Sequence, residues 1–462
     1  MMIKKISISG FRGFGIERTI QFSLPDDQRP GSGLNIITGA NNSGKTTIVE
    51  SIRAFNADKA PSFSEGRRNL LKNGIVKLSI TDENDKEYSI NSVEGGGSST
   101  KKSSNFALRY YVVQSRRGFS FEFRKAIANK DYYITHTQAM PNQRDTVLEQ
   151  FEIRIYQIEE KREQFDSIIQ RVLGTDFKWT IEQRDNGQYY IKYTQEGITH
   201  SSEGVGDGIW SIFTICAALF DAENKTTIII DEPELSVHPA VQRKLMDLFL
   251  EYTDRLQIII CTHSPYFISW SAIAAGAQLI RVVKENCNTN CYCLGTESKK
   301  RIKGILEDIN NPHVLGLDAS EVFFLDDSLI LVEGQEDVVI YNKIANQLGL
   351  QFRGNFFGWG VGGAPKMKFF ISLFKDLGYS RIVAIFDGDK QKDADEIKSE
   401  FPDYHVVTIP EADIREKRGR NIPAKSGIAN ENGDIKDQYK EYIKSMIIEI
   451  NNYLIANKTA ES

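Results

Sequence analysis

The 462-residue chain has no apolar run near the ~20 residues that a bilayer-spanning helix needs. Its start, MMIKKISISGFRGF, carries two lysines with no apolar stretch behind them, so no secretion signal is read. Cysteine is scarce: five residues, an odd number unevenly spread, exclude a disulfide framework and point to a reducing cytoplasm. The net charge of −5 removes a global basic field, so any grip on nucleic acid must come from local patches. No internal repeat is seen. What remains is ordinary for a globular protein, 40% hydrophobic and 26% charged, and the length suggests two or three domains.

Strand-like and helix-like segments alternate, which argues for parallel sheets and an α/β fold in both halves of the chain. Short strands are expected at Ile3–Ser9, Thr19–Phe22 and Leu34–Thr38, a hairpin over 76–93, and a strand ending at Val113. Within an insertion at about 141–175, Leu148, Phe151, Ile155, Ile158, Phe165, Ile169 and Val172 recur at three- and four-residue steps, with Arg162 filling one place. That spacing predicts one helix of about 25 residues with a single apolar seam, packed on its own domain or pairing two chains. A second α/β unit is expected from Asp327, with strands at SLILVE, FRGNFFG, RIVAIFD and YHVVTIP, and a terminal helix over about 437–457.

Three segments carry nucleotide chemistry. GANNSGKT, Gly39–Thr46, lies between an apolar strand and a helix. Its glycines let backbone amides turn inward onto phosphates, so Gly39, Asn41, Asn42, Ser43, Gly44, Lys45, Thr46 and the next residue, Thr47, form an ATP cradle. Lys45 reaches the β- and γ-phosphates, and the Thr46 hydroxyl suits Mg2+. TIIIDEPE ends a buried strand in Asp231, placed to hold the magnesium, and Glu232, placed to polarise the attacking water. QIIICTHS puts His263 at another strand end, where a γ-phosphate would be sensed.

Together Gly39–Thr46, Asp231–Pro239 with His238, and Thr262–Ser264 resemble the ABC-type ATPases that include DNA-repair and SMC-like proteins. They are most similar to the overcoming-lysogenization-defect (OLD) family and its antiphage relatives. The resemblance implies ATP held between two heads, and therefore a homo-oligomer, a dimer or higher. It also implies a signature turn from the opposite head. SSEGVGDG, Ser201–Gly208, is the segment that fits, with Ser202 and Gly204 as its nucleotide contacts.

A second acidic set follows. Glu333 ends one apolar strand, Asp337 lies four residues on, and Asp387 and Asp389 end another strand. Carboxylates at neighbouring strand ends suit one or two divalent cations, Mg2+ or Mn2+, for phosphodiester cleavage. Gly362 and Gly363 lie between them in GWGVGGAPK and permit a close backbone turn. The order VEG, then GG, then DGD resembles the Toprim fold of topoisomerases, primases and OLD nucleases. Lys390, Lys392 and Lys425 all fit the lysine that such sites use. The resemblance divides the chain into an ABC-type ATPase domain (1–325), a Rossmann-like Toprim domain (326–430) and a C-terminal helix (431–462).

Several features keep two readings. Arg116 and Arg117 suit phosphate contact or a solvated turn; Arg415, Lys417, Arg418 and Arg420 suit a nucleic-acid backbone or a charged loop. Cys287, Cys291 and Cys293 have three of the four ligands of a structural zinc site and fit a reduced hairpin better. The expected activity is an ATP-gated, OLD-type Toprim nuclease acting on nucleic acid in antiphage defence. A rival is an ATPase scaffold like the ATPase subunit (AriA) of the PARIS system, which holds and releases a separate effector nuclease. A DNA-repair ATPase is a weaker third reading, since long coiled-coil arms are missing.

Overall fold

The structure, a computed structural model, describes residues 1–63, 65–69, 74–93, 99–115, 129–137, 151–195, 197–201, 206–308, 314–325, 327–417 and 424–455. It separates into two compact units, Met1–Cys293 and Leu294–Ser462.

The first unit contains β1 (Ile3–Ser9), β2 (Arg18–Gln21), β3 (Leu34–Thr38), β4 (Lys77–Asp82), β5 (Glu87–Ser92), β6 (Thr100–Lys102), β7 (Tyr111–Val113), β8 (Lys178–Gln183), β9 (Tyr189–Gln195), β10 (Ile198–Ser201), β11 (Thr227–Asp231), β12 (Gln257–Cys261), β13 (Gln278–Glu285) and β14 (Asn288–Cys293). A six-stranded sheet of order β14-β13-β3-β12-β11-β7 is its centre. Every pair in it is parallel except β13 with β14. The runs LNIIT, TIIID and QIIIC are buried at every position, as strands covered on both faces must be. An antiparallel sheet, β2-β1-β4-β5-β6, alternates buried and exposed residues instead. Its inner face, with Ile6, Ile8 and Ile80, shares one core with Ile48 and Ile52 of the helix Lys45–Arg53. β8, β9 and β10 form a small third sheet.

The insertion departs from the single predicted helix. The described chain has two helices, Phe151–Glu159 and Arg162–Leu173, broken where Lys161 leaves helical geometry at φ −122° and ψ 38°. The break falls beside Arg162, the polar member of the apolar seam. That side chain lies over the Trp179 ring, its guanidinium carbon 4.7 Å from the centroid. The seam packs within its own unit: Phe165 meets Phe213 at 4.9 Å and Trp179 at 5.7 Å. Leu148 and the rest of 141–150 lie outside the described residues.

The second unit holds β15 (Ser328–Leu331), β16 (Asn355–Phe356), β17 (Arg381–Phe386) and β18 (His405–Thr408) in one parallel sheet of order β16-β15-β17-β18. A two-stranded pair, β19 (Asp413–Arg415) and β20 (Gly427–Ala429), adjoins the helix Gln335–Gln347. The helices Thr296–Leu306, Leu317–Glu321, Ala364–Asp376, Gln391–Glu400 and Lys440–Ile455 also belong to it. The division at 325/326 read from the sequence is not where the units separate. Residues 294–308 and 314–325 are tied into the second unit: Ser298 bonds Asp376 at 2.7 Å, Lys366 pairs with Asp308, and the Tyr379 hydroxyl donates to the Val322 carbonyl at 2.8 Å. Among the described residues no helix is long and apolar enough to cross a membrane.

Candidate nucleotide site and acidic site

β3 delivers the chain to Gly39, whose φ of +147° and whose Cα, so close that a Cβ would sit 2.2 Å from the Val282 carbonyl oxygen, admit only glycine. The loop then turns through Asn42, at φ +61°, into the helix Lys45–Arg53. Lys45 is buried and its ammonium donates to the carbonyls of Gly39 at 2.9 Å and Ala40 at 3.0 Å. Burial draws its pKa down, and the acidic groups Asp231, Glu232 and Glu234 oppose that shift. A cavity of about 360 Å3 opens over the loop, lined by Asn41, Asn42, Gly44, Lys45, Thr46 and Thr47 and by Glu232 and His263. Two strand ends thus meet the phosphate loop at the carboxyl edge of a parallel sheet.

Asp231 ends β11, buried, level with Cys261 of β12. Glu232 follows in the left-handed region at φ +52°, its N–H held by the Cys261 carbonyl at 2.8 Å. Such a backbone is costly for a non-glycine residue and is found where a side chain must be aimed. His263 is half-buried. Burial and then the nearby Lys45 charge lower its pKa, so the imidazole is neutral at pH 7. His238 caps the helix Pro239–Tyr252, its Nδ1 accepting from Ala240 N–H at 3.2 Å.

Sequence reasoning missed several residues here. Glu234 accepts from the Thr262 hydroxyl at 2.8 Å and from His263 N–H at 2.6 Å, tying the two strand ends together. Burial raises its pKa. Arg12, Lys284 and Thr289 also line the cavity. Arg12 pairs with Glu50 at 2.8 Å. Thr289, on the β13–β14 hairpin, donates its hydroxyl to the Ser43 carbonyl at 2.9 Å and its N–H to the Gly13 carbonyl at 2.8 Å. Glu234 was signalled by its place two residues past Glu232; the others come from distant segments. Ser202 and Gly204 of the expected signature turn lie outside the described residues, as do Arg116 and Arg117. The helix beyond that turn starts at Asp207, and a Cβ on Gly208 would sit 2.3 Å from the Ser236 carbonyl oxygen. The five cysteines are free, and Cys287, Cys291 and Cys293 lie in or beside the hairpin.

In the second unit, the chain runs from β15 outward to β16 and returns to β17 on the other side of β15. A crevice forms at such a reversal, beyond the carboxyl ends of the two strands. Glu333 follows β15 and Asp387 follows β17, and the Glu333 carboxylate accepts the Asp387 N–H at 3.1 Å. The Glu333 carbonyl accepts N–H groups from Gly362 at 2.9 Å and Gly363 at 2.8 Å, so the glycine turn grips the backbone of the carboxylate residue. Burial, then the charges of Asp337 and Glu333, push Asp387 up to about 8. Burial also raises Glu333 and takes Asp337 to about 6.

Asp337, expected as a metal ligand, also has a bond at the start of its own helix. Its carboxylate accepts Gly334 N–H at 2.8 Å and caps the helix Gln335–Gln347. Asp389 pairs with Lys425 at 2.8 Å and approaches Lys390 at 3.7 Å. Asp413, which sequence reasoning passed over, is buried and pairs with Lys417 at 2.7 Å and Lys425 at 3.8 Å. Of the three lysines open from the sequence, Lys425 is the one bonded between two of the acids; the Asp389 bond raises its pKa. Among the described residues no three His, Cys, Asp or Glu side chains are arranged to hold a metal ion. The crowded oxygen donors of Glu333 and Asp387 suit a hard divalent cation, and Asp389 would join them on leaving Lys425. Arg418 and Arg420 lie outside the described residues.

Comparison with known proteins places an ATPase family on the nucleotide site. The model of a family described as "AAA domain, putative AbiEii toxin, Type IV TA system" (AAA_21) matches residues 34–269, just over half of the chain. An OLD nuclease of Thermus scotoductus is 31% identical over 169 residues, 34% of this chain and 30% of that protein. The chain thus spans less than a third of that relative's length. The Septu protein PtuA of Bacillus thuringiensis is 24% identical over 322 residues, 59% of this chain and 74% of that protein. Among solved structures, an Smc head bound to the C-terminal winged-helix domain of ScpA aligns with a TM-score of 0.44 at 16% identity. It covers 65% of this chain and all of that one.

Proposed function

The chain belongs to the AAA_21 family of ATPases, and from that premise we propose that it is an antiphage defence protein in which ATP gates a Toprim nuclease. ATP sits over Lys45, with the Thr46 hydroxyl and the Asp231 carboxylate able to hold Mg2+, which offsets phosphate charge when bound. Glu232, aimed by its left-handed backbone, polarises the attacking water, and neutral His263 contacts the γ-phosphate. Two heads pair across ATP, and the Glu234 bonds to Thr262 and His263 couple the water-positioning strand to the phosphate-sensing one.

One observation carries the nuclease half: the convergence of Glu333 and Asp387 at the reversal point of a parallel sheet. Partial similarity to an OLD nuclease supports it. Glu333, Asp387 and Asp389 would hold Mg2+ or Mn2+, which supplies charge stabilisation to phosphodiester cleavage. The test incubates purified protein with single- and double-stranded DNA and RNA, Mg2+ or Mn2+, and ATP. Wild type cuts at least one substrate and Glu333→Ala cuts none. Absence of cleavage of every substrate by wild type sinks this reading.

A second reading, an ATPase scaffold that sequesters a separate effector nuclease, has its own support. Lys425 and Lys417 already neutralise Asp389 and Asp413 without a metal. It predicts an inert purified chain and a co-purifying effector.

A further inference from the structure

The second unit holds a cavity of about 380 Å3 that the cleavage chemistry leaves unused. The first turns of the helix Gln335–Gln347, with Gln335 and Val339, form one wall, and Asn432 stands at the facing turn; Trp359 and Arg415 also line the cavity, with the carboxylate residues Glu336 and Glu431 among the remaining lining. Trp359 is 42% exposed and Val339 56%, while the other tryptophans, Trp179, Trp210 and Trp270, are exposed by 5% or less. The chain thus keeps one indole in water, next to an aliphatic side chain.

That indole is fixed. Its Nε1–H donates to Asp318. Its neighbour Gly360, at φ +86°, lies so close to Gly334 that a Cβ would approach Gly334 backbone atoms to 2.8 Å. The same loop continues to Gly362 and Gly363, whose N–H groups grip Glu333. The loop that carries the ring is therefore the loop that positions the first carboxylate of the acidic site. Arg415 is held at the rim by a two-point pair with Glu336, at 3.0 and 2.7 Å.

A rigid aromatic face, an aliphatic flank and side-chain carboxamides at the rim are how proteins hold an unpaired base: stacking on the ring, hydrogen bonds to the base edge. The volume lies within the range of small-ligand pockets and suits one nucleoside. We propose that this cavity receives one unpaired nucleobase of a single-stranded nucleic acid whose phosphate lies at the Glu333–Asp387 site. Trp359 is the stacking platform, and Gln335 and Asn432 contact the base edge. The inference rests on the nuclease reading of that acidic site.

The experiment uses the full chain in EDTA, so that binding is read without cleavage. Fluorescein-labelled twelve-residue thymidylate and uridylate oligomers are titrated by anisotropy, and tryptophan emission is followed with unlabelled oligomer. Binding quenches the exposed tryptophan. Trp359→Ala weakens binding roughly 5- to 150-fold and abolishes the quenching, Trp359→Phe restores most of the affinity, and an abasic oligomer binds wild type as weakly as the alanine variant. Equal binding by wild type and Trp359→Ala, or by base-bearing and abasic oligomers, overturns the inference and leaves the nuclease reading standing. Trp359-dependent binding without cleavage in Mg2+, Mn2+ and ATP overturns the nuclease reading and leaves the base pocket. Failure of wild type to bind either oligomer overturns the inference, and the nuclease reading is then decided by the cleavage assay alone.

Discussion

Thr289→Val tests whether the β13–β14 hairpin is part of the ATP site. Thr289 is 1% exposed, and its hydroxyl reaches the Ser43 carbonyl at 2.9 Å. It also packs so closely that a Cβ on Gly44 would lie 2.9 Å from the hydroxyl oxygen. Valine keeps the branched shape and deletes the donor, depriving a buried loop carbonyl of that bond. Such a loss costs about 1–3 kcal/mol. If the bond chiefly holds the loop in its phosphate-receiving conformation, the cost appears in nucleotide binding as a roughly 5- to 150-fold rise in Kd. If it chiefly holds the unit folded, the cost appears as a lower Tm, about 2–4 °C per kcal/mol. Titration with a fluorescent ATP analogue beside thermal unfolding separates the two. The hairpin reading requires the Kd to rise by more than about fivefold with a Tm loss of a few degrees at most. An unchanged Kd refutes it, whatever the Tm does.

Three further outcomes are expected. Arg154→Leu breaks the buried pair with Asp221, leaving an unpaired carboxylate beside Tyr111 and Tyr133. It destabilises the first unit by about 3–5 kcal/mol in urea unfolding, and Asp221→Leu in the same chain restores part of the loss. His263 has its folded pKa below its unfolded value near 6.5, so the unfolded chain takes up the proton first. Its contribution to stability is complete above about pH 7 and is lost as the pH falls below about 6.5; Tm against pH for wild type and His263→Gln should converge in acid. Gly360→Ala places a methyl group 2.8 Å from Gly334 backbone atoms at φ +86° and lowers the stability of the second unit by more than about 1 kcal/mol, measured by urea unfolding.

The phosphate loop and the Asp231–Glu232 strand end were legible because their chemistry is local: each is a short run of residues whose spacing alone sets the geometry. So were the isoleucine-rich strands, since complete burial demands continuous apolar text. The residues that complete the sites were not. Thr289, on β14, and Arg12, in the turn between β1 and β2, come to the ATP cavity from either side of the P-loop strand in sequence, and nothing in their own neighbourhoods marks them. Asp413 went unmarked because its lysine partners sit four and twelve residues away, and only the fold buries it. The seam at 148–172 kept helical periodicity through a break, since two packed helices in series can satisfy one apolar pattern. Asp337 fitted a ligand by type and position, and its second task, accepting the Gly334 N–H at the helix start, shows only in the fold.

The contact between Thr289 and Ser43 spans 246 residues, and β14 closes the first compact unit. A ribosome making this chain releases the phosphate loop early and its brace only at the end of the first unit. The nascent protein therefore carries a complete nucleotide motif that lacks a finished cradle for most of its synthesis. Under the proposed function, that order of emergence is a safeguard. Until Thr289 has emerged the Ser43 carbonyl lacks this brace, so ATP binding by the unfinished head is weakened.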